Sequence, residues 1–458
     1  MADLQALANA VGPDNLSVED DVRHEFGRDW TRYMQPAPLA VTFPRSTEHV
    51  QNIVRWARQE KIGVVPSGGR SGLSGGAMAI KGELVVSFAK MNKILELSRG
   101  DAMVRCEAGV ITESLQKYAA DHGFYYPVDF AARGSSVIGG NIATNAGGIK
   151  VLRYGLTRDW VAGLTVVTGT GEVLELGKGL IKNATGYDLR HLFIGSEGTL
   201  GLVTHATMRL TRPPQPQRVL FMAVNDTADV MKIFDAFRSA ITLSAFEVLN
   251  EEAMQGVNAK GLKRPLETVS RWYVLVEHDT ADNDRALEVF EQVMNDGLAL
   301  DGVVSESSSQ AAHLWRLRED ITEALAHHTP YKNDVSVMVS RVPAFLADAD
   351  AVLKREYPTY TIVWFGHIGD GNLHISILKP KDLPMEQFYK ACQKVDTMLF
   401  DVVKKHGGSI SAEHGVGLTK KPFLSYTRSA EEIVTMRALK NVFDPDGIMN
   451  PGKMFDPS

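Results

Sequence analysis

The sequence has little cysteine, no long apolar run and no strong excess of one charge. Its two cysteines, Cys106 and Cys392, lie far apart and outside any C-x-x-C spacing, which argues against a disulfide framework and against a thiolate metal site. No uninterrupted apolar run reaches the length of a membrane span, and residues 1–16 lack the basic and apolar blocks of a signal peptide. We therefore expect a cytoplasmic protein without a membrane span.

The charge balance excludes one class of partner. The formal net charge of the 458 residues is −6 and no basic stripe is present, so the electrostatic footprint of a nucleic-acid-binding protein is missing. Hydrophobic residues make up 44% of the chain, which is enough for sizeable cores in two or three domains.

Two histidines flank an Asp370-Gly371 pair. Asp-Gly is a strong signal for a two-residue type I′ hairpin turn, and counting outward from that turn places His367 opposite His374. Directly opposed side chains have Cβ atoms about 4.5–5.5 Å apart, so both imidazoles could bind one metal ion. Glu413 offers a carboxylate as a third ligand, and this set leaves a tetrahedral zinc ion one open position. Isolated histidines are more often ordinary core or surface residues.

Three glycine-rich stretches occupy the first half of the chain, at residues 67–76, 134–148 and 195–201. Glycine at this density lets the backbone approach a large flat ligand and present N–H donors along it. The first stretch follows a predicted buried strand at residues 63–66 and could form an anion-binding nest. A flexible loop is the alternative, because neither a P-loop nor a Rossmann fingerprint is present.

Hydrophobic periodicity predicts an α+β chain. A short N-terminal helix, a strand at residues 40–43 and a helix capped by Thr47 precede the first glycine stretch. Proline-rich residues 211–216 mark a domain boundary. Beyond it, each of two strands precedes an amphipathic helix, which favours a second domain on an antiparallel sheet; the strands are at 219–224 and 272–277, and the helices are at 226–239 and 282–294.

A long helix is predicted over residues 310–327. Its apolar face carries Leu314, Leu317, Ile321 and Leu325, while Arg318 and Thr322 are four residues apart and would project together. The alternative for Arg318 is an ion pair on a solvated face, with Glu319, Asp320 or Glu323. Pro330 ends the helix, and a strand is expected over residues 335–339, introduced by Lys332.

Together these motifs resemble the FAD-dependent 2-hydroxyacid dehydrogenases of the vanillyl-alcohol oxidase (PCMH) type, from about residue 38 to residue 453. The matching stretches are residues 66–76, 126–148, 181–201, 331–335, 365–374, 411–417 and 450–453. Within this family the sequence looks most like the bacterial D-2-hydroxyglutarate dehydrogenases, with D-lactate dehydrogenases and glycolate oxidase subunits as relatives.

The resemblance implies an α+β fold in three parts. A two-part FAD-binding domain would cover residues 1–215, and an antiparallel-sheet substrate (cap) domain that carries the metal site would cover residues 216–415. A C-terminal segment, residues 416–458, would return to the flavin.

The resemblance also implies which residues bind FAD. These come from the glycine-rich stretches and the C-terminal segment: Pro66, Ser67, Gly68, Gly69, Arg70, Ser71, Gly72, Leu73, Ser74, Ser135, Gly139, Gly140, Asn141, Thr144, Asn145, Gly147, Gly148, Glu197, Gly198 and Asn450. Members of the wider superfamily that attach flavin covalently use a histidine in or near the first stretch. That stretch has none here, so we expect dissociable FAD.

The remaining site residues follow from the same resemblance. His367, His374 and Glu413 correspond to ligands of zinc or a similar divalent ion, and His414 corresponds to the general base. The residues that would bind the substrate carboxylates are Arg318, Thr322, Lys332, Tyr331 and Ser376, the last of which stands where some relatives carry asparagine. The two cations of this set, Arg318 and Lys332, favour a substrate with two carboxylates.

The expected reaction is oxidation of D-2-hydroxyglutarate to 2-oxoglutarate, with D-malate as a second substrate. Electron-transfer flavoprotein, a quinone and a cytochrome are open as electron acceptors, and the resemblance favours the first. A homodimer is left open. Within the family the alternative is a D-lactate or glycolate dehydrogenase. Outside it, a metal-dependent hydrolase would use the same ligands but leaves the glycine stretches unexplained, and a non-catalytic FAD-binding electron-transfer subunit would use the glycine stretches alone.

Overall fold

The computed structural model describes residues 2–31 and 34–456, which form two compact units. The first unit comprises Met1–Gly148, Gly155–Pro213 and Glu413–Ser458, and the second comprises Ile149–Tyr154 and Pro214–Ala412. One boundary therefore lies close to the proline-rich joint expected near residue 215. The short excursion at Ile149–Tyr154 has no counterpart in the expected domain map.

The strands of the first unit form two sheets within the described part of the chain. One sheet has the order β1-β2-β4-β3, with β2, β3 and β4 parallel and β1 antiparallel; its strands are β1 (Leu16–Ser17), β2 (Ala40–Thr42), β3 (Val64–Ser67) and β4 (Leu84–Ser87). The other is antiparallel, with the order β5-β6-β9-β7-β8; its strands are β5 (Ile94–Ser98), β6 (Met103–Glu107), β7 (Val161–Thr168), β8 (Val173–Leu176) and β9 (Gly201–Arg209).

Helices and turns connect these strands. The α-helices are α1 (Leu4–Val11), α2 (Asp20–Phe26), α3 (Thr47–Glu60), α4 (Thr112–Asp121), α5 (Ile138–Thr144), α7 (Thr157–Trp160), α8 (Arg190–Phe193) and α16 (Ala430–Phe443), and the 3₁₀ turns are Pro13–Asn15, Phe88–Lys90 and Lys421–Tyr426. One apolar core joins both sheets to α1, α3 and α4. The hydroxyl of Ser46, rather than Thr47, caps α3 by accepting from the amide of His49, at 3.2 Å, which stabilises the helix start.

The second unit contains an antiparallel sheet with the order β13-β10-β12-β11-β15-β16-β14. Its strands are β10 (Gln217–Val224), β11 (Leu243–Asn250), β12 (Trp272–Asp279), β13 (Asp301–Val304), β14 (Tyr331–Ser336), β15 (Ile362–Gly366) and β16 (Asn372–Ile377). This sheet confirms the predicted antiparallel architecture of the second half of the chain.

The α-helices of the second unit are α6 (Val151–Tyr154), α9 (Thr227–Ala240), α10 (Glu251–Ala259), α11 (Asn283–Asn295), α12 (Ser308–Glu319), α13 (Ile321–Ala324), α14 (Val342–Glu356) and α15 (Met385–Lys405). Its 3₁₀ turns are Thr280–Asp282, Ala326–His328, Val339–Arg341 and Ile368–Asp370. Residues of α10, α12 and α13 share one apolar core with β10, β11, β12 and β15. Two charged residues of these elements are also buried: Glu247 of β11 and Arg318 of α12.

Two ion pairs hold Ile149–Tyr154 in the second unit. Lys150 bonds to Glu277, and the guanidinium of Arg153 lies 2.6 and 2.8 Å from the two carboxylate oxygens of Asp279. Glu277 and Asp279 both lie at the end of β12. Because both pairs are largely buried, the segment is an integral part of the unit.

The hairpin around the two histidines forms, but its register differs from the type I′ prediction. The ladder between β15 and β16 pairs Phe365 with His374, and the connection contains the 3₁₀ turn Ile368–Asp370. Within the predicted two-residue turn only Gly371 has a positive φ, +85°, whereas a type I′ turn requires it at both central residues. His374 thus lies opposite Phe365, two positions before the predicted partner His367. A shift of the register by two residues keeps side chains on the same face of a strand, so His367 and His374 still share one face.

The helix predicted over residues 310–327 is interrupted at Asp320. The Asp320 carboxylate accepts from the Arg316 guanidinium at 3.0 Å, and aspartate is a poor residue for a helix interior. The apolar face is confirmed, because Leu314, Leu317, Ile321 and Leu325 are all buried. Arg318 is buried whereas Thr322 is exposed, so the i, i+4 pairing of these two residues was wrong. The strand expected over residues 335–339 is also displaced, to Tyr331–Ser336.

Candidate functional site

One face of the seven-stranded sheet carries a row of polar side chains. Alternate residues of a strand share a face, and the ladder between β14 and β16 places Lys332 opposite Ser376 and Asp334 opposite His374. Directly opposed side chains are neighbours. The structure therefore brings together two of the predicted substrate-binding residues and one of the predicted metal ligands.

His367 and His374 lie side by side with their ring centroids 5.4 Å apart. Each ring faces a carboxylate through Nδ1: His367 Nδ1 lies 2.8 Å from Glu247 Oε1, and His374 Nδ1 lies 3.4 Å from Asp334 Oδ1. A carboxylate at Nδ1 fixes the ring orientation and makes Nε2 the metal-binding nitrogen. The donor set of this pair fits a divalent ion.

The protonation state of His374 also suits a metal ligand. Burial lowers the pKa of its imidazole, and the hydrogen bond to Asp334 opposes this only in part. A neutral imidazole is the form that binds a metal ion.

Arg318 approaches the same face from α12. Its side chain is 7% exposed, its Nε donates to Glu247 Oε2 at 2.8 Å, and its guanidinium lies over the ring of Phe365 with 4.9 Å from Cζ to the centroid. The alternative of a solvated ion pair with a neighbour on its own helix was therefore wrong. Arg318 is a buried cation aimed at the sheet.

Tyr331 has a different partner from the one expected. Its hydroxyl donates to the carboxylate of Asp396 on α15, which also accepts from the side-chain amide of Asn333 at 3.1 Å. The hydroxyl of Tyr331 is thus directed at Asp396, and its role as a donor to a substrate carboxylate stays a prediction. Ser376 is buried beside Lys332, as a substrate-binding pair would require.

Glu413 and His414 begin the last segment of the first unit, and both are half-buried. The preceding residue, Ala412, donates its amide to the carbonyl of Asp334 at 3.3 Å. The main-chain carbonyl of His414 accepts from the hydroxyl of Ser74. The predicted base therefore lies in a segment anchored to the first glycine-rich stretch.

The three glycine-rich stretches converge within the first unit. A Cβ on Gly69 would lie 2.1 Å from the carbonyl oxygen of Ser135, and a Cβ on Gly198 would lie 2.6 Å from Cγ of Pro66. Only glycine permits such close approach. The first stretch, together with Pro66 directly before it, thus contacts both of the others, as one extended ligand would require.

Asn450 and Glu197 join these stretches to the C-terminal segment. The side-chain amide of Asn450 donates to the carbonyls of Gly76 and Glu197, at 2.9 and 2.7 Å. The carboxylate of Glu197 accepts from the amides of Val416 and Gly417, at 2.7 and 2.8 Å. Asn450 and Glu197 both adopt positive φ without being glycine, a conformation that concentrates at ligand sites.

Several predicted cofactor residues use their side chains within the protein. Asn141 donates to Thr112 at 2.8 Å, Thr144 donates to the carbonyl of Gly140 at 3.2 Å, and Asn145 accepts from the amide of Arg158 at 2.9 Å. These bonds position the backbone of the second stretch. Asn450 Oδ1, by contrast, is buried without a hydrogen-bond partner among residues 2–31 and 34–456, and an acceptor in this state fits a cofactor that brings its own donor.

Sequence reasoning missed Glu247, Asp334 and Asp396. Each is an acidic residue buried in a strand or helix, and a buried carboxylate requires a partner. Glu247 is in phase with Ala245 and Leu249, which face the core of the unit. A lone acidic residue at a core-facing position was the signal that could have identified it.

Among residues 2–31 and 34–456, every helix is too short or too polar to span a membrane.

Two family models match the chain: the FAD binding domain over residues 38–177 and the C-terminal domain of FAD linked oxidases over residues 213–454.

Curated relatives match over nearly the full length. The chain is 52% identical to the D-2-hydroxyglutarate dehydrogenase of Stutzerimonas stutzeri (strain A1501), over 99% of this chain and 98% of the relative. It is also 52% identical to that of Xanthomonas citri pv. viticola, over 98% and 96%. Among solved structures, 4-ethylphenol oxidase from Gulosibacter chungangensis aligns with a TM-score of 0.77 and 18% identity, over 99% of this chain and 96% of that chain.

These comparisons confirm the expected fold of the PCMH type and the binding of FAD. They also give the glycine-rich stretches a role, which the hydrolase alternative did not, and they favour an enzyme over a non-catalytic subunit. The chain belongs to the FAD-linked oxidases of the vanillyl-alcohol oxidase type, and within them to the FAD-dependent D-2-hydroxyacid dehydrogenases.

Proposed function

We propose that the protein oxidises D-2-hydroxyglutarate to 2-oxoglutarate with dissociable FAD and a divalent metal ion, zinc or similar. The observation that carries this proposal is the sheet face on which His367 and His374 adjoin the cations Arg318 and Lys332. Two imidazoles suit a Lewis-acidic ion, and two cations suit a substrate with two carboxylates. The names of the two relatives at 52% identity agree with this substrate.

The metal site would be completed by Glu413. It directly follows Ala412, whose amide bonds to Asp334, the residue opposite His374. A divalent ion bound there would supply Lewis acidity towards the substrate hydroxyl.

His414 would accept the hydroxyl proton on its imidazole. An unperturbed imidazole has a pKa of about 6.5, which suits a general base near neutral pH. The bond between its main-chain carbonyl and Ser74 would hold the residue in place. FAD, when bound, supplies the acceptor for the α-hydrogen, which leaves as a hydride while the 2-oxo group forms.

Arg318 and Lys332 would orient the substrate, and Ser376, the neighbour of Lys332, would add a hydroxyl. Thr322 is a weaker member of the set, because it is exposed on α13. Charge-assisted hydrogen bonds to the distal carboxylate would distinguish 2-hydroxyglutarate from lactate.

Anaerobic bleaching of the bound flavin tests the proposal. The purified protein is mixed with D- and L-2-hydroxyglutarate, D-malate, D-lactate and glycolate, and the flavin absorbance is followed. We expect D-2-hydroxyglutarate to bleach the flavin fastest, D-malate to act as a second substrate, and the L enantiomer to be inactive. Faster bleaching by D-lactate or glycolate would instead assign the alternative activity within the family.

Three further parts of the proposal need separate assays. Electron-transfer flavoprotein is proposed as the electron acceptor and would be reduced in a coupled assay. Light scattering would test the homodimer. A cytoplasmic location agrees with the free, buried Cys106 and Cys392, and fractionation would test it.

A further inference from the structure

Glu247 receives two hydrogen bonds that the proposed function would assign to separate tasks. Its side chain is 2% exposed, Oε2 lies 2.8 Å from Nε of Arg318, and Oε1 lies 2.8 Å from Nδ1 of His367. Both partners are themselves buried. One carboxylate therefore connects a candidate substrate-binding cation to a candidate metal ligand.

The ionised state of Glu247 determines what it can accept. Nε of Arg318 donates to its Oε2, and a carboxylate that faces this permanent cation is held in its ionised form. An ionised carboxylate has acceptors only. Nδ1 of His367 must therefore carry the hydrogen, which leaves the lone pair on Nε2.

We propose that Glu247 is a positioning residue that couples the metal affinity of His367 to the recognition of the substrate carboxylate by Arg318. This inference rests on the proposed function, because it assigns a link between two of its parts. The hydrogen bonds of its two oxygens go to Arg318 and His367. Glu247 acts through the orientation and tautomer of one side chain and the orientation of the other.

The chemistry of glutamine makes this coupling testable. A glutamine in this position has one acceptor and one donor group in place of two acceptors. If its oxygen stays on Arg318, its NH₂ group faces Nδ1 of His367 and favours the tautomer with hydrogen on Nε2, which does not bind a metal ion. If its oxygen stays on His367, two donors face each other at Arg318. Either orientation of the glutamine amide therefore breaks one of the two hydrogen bonds, to His367 or to Arg318. If the amide exchanges between the two orientations, both bonds are weakened.

Glu251 provides a matched control. It lies four residues further along the chain, and its carboxylate accepts from three residues: Arg264 through Nη2 at 2.7 Å, the hydroxyl of Tyr273 at 2.6 Å and the side-chain amide of Gln255 at 3.1 Å. It contacts neither histidine of the sheet face. The Glu251 side chain is 17% exposed, so Glu251→Gln removes a half-buried, hydrogen-bonded charge from the same unit without touching the proposed link.

The experiment measures two quantities on full-length, FAD-loaded wild-type, Glu247→Gln and Glu251→Gln proteins. Zinc affinity is measured on metal-stripped protein by competition with a chromophoric chelator, and selectivity is the ratio of kcat/KM for D-2-hydroxyglutarate to that for D-lactate. We expect Glu247→Gln to weaken zinc binding by about 10–100-fold, as loss of an outer-shell partner does, and to lower the selectivity ratio together with it. Glu251→Gln should change neither quantity.

The inference is overturned if Glu247→Gln changes only one of the two quantities, or if Glu251→Gln changes both equally. Should Glu247→Gln fail to fold, Glu247→Asp decides the matter. It keeps the charge but withdraws it by one methylene, so both bonds should weaken and both quantities should fall, although less. Failure of the proposed function is distinguishable, because it would be seen in the wild-type protein as absent zinc binding or as no bleaching by any D-2-hydroxy acid.

Discussion

Asp334 lies directly opposite His374 in the ladder between β14 and β16, and its carboxylate oxygen lies 3.4 Å from Nδ1 of the imidazole. Asp334 is buried and is held in place by the side-chain amide of Asn372, which donates to it at 2.8 Å. The carboxylate is thus rigidly placed to orient the ring.

Replacing Asp334 with asparagine should therefore weaken zinc binding by about 10–100-fold. Flavin content should stay unchanged, because Asp334 lies in the second unit. Asp348→Asn is the control, since Asp348 also faces a histidine ring, with its oxygen 2.8 Å from Nε2 of His406, but lies away from this sheet face. Equal zinc affinity of Asp334→Asn and wild-type protein would refute the outer-shell role.

His414→Ala should keep its flavin but reduce it more slowly. Removal of a general base typically lowers the rate by about 10²–10⁴-fold. Stopped-flow measurement of flavin absorbance at saturating D-2-hydroxyglutarate gives this rate directly. His327→Ala, at an exposed histidine, should leave it unchanged. A rate of flavin reduction in His414→Ala equal to that of the wild type would rule out the base assignment.

Arg318→Ala should impair oxidation of D-2-hydroxyglutarate much more than that of D-lactate. Arg318 and the distal carboxylate of the substrate would form a buried charge pair, and truncating one partner of such a pair costs about 2–5 kcal/mol. D-lactate has no distal carboxylate, so this loss should fall on D-2-hydroxyglutarate alone. Arg316→Ala, at the exposed neighbour that pairs with Asp320, is the control. An equal loss on both substrates would mean that Arg318 does not contact the distal group.

The stability of the protein should depend on pH through Lys453. Burial lowers the pKa of its ammonium group from 10.5 to about 8, against the opposing charges of Glu83 and Asp29. Between these values the unfolded chain binds a proton that the folded chain has released, so the free energy of unfolding should rise with pH across this window. The full gain corresponds to about 3 kcal/mol.

Urea unfolding across this pH window measures the effect. Lys453→Met should lose the rise, whereas Lys81→Met, at an exposed lysine nearby, should retain it. Parallel stability curves for wild-type and Lys453→Met proteins would contradict the prediction.

Local patterns predicted most of the elements that carry the site. The helix expected over residues 226–239 is observed at Thr227–Ala240, and the strand expected over residues 272–277 is observed at Trp272–Asp279. Both have strong apolar periodicity and clear ends, such as the Asp226 side chain that caps α9 through the amide of Ala228. Elements of this kind are specified by short-range chemistry.

Pairings between distant residues were less accessible from the sequence. The register of the β15–β16 hairpin depends on the 3₁₀ turn that replaces the expected two-residue turn, and the partner of Arg318 lies 71 residues earlier in the chain. The bond of Tyr331 to Asp396 spans 65 residues. Such contacts are set by tertiary packing, which single-sequence periodicity does not encode.

The edge of β3 is completed by the far end of the chain. Val64 forms a parallel bridge with Met449, its amide donates to Ile448, and its carbonyl accepts from Asn450, the last two at 2.7 Å. Since a ribosome makes the chain from the N-terminus, this edge stays open until residues 448–450 have been synthesised. The first glycine-rich stretch starts where β3 ends, so flavin capture should follow the synthesis of these residues, and chains that stop before residue 448 should stay colourless.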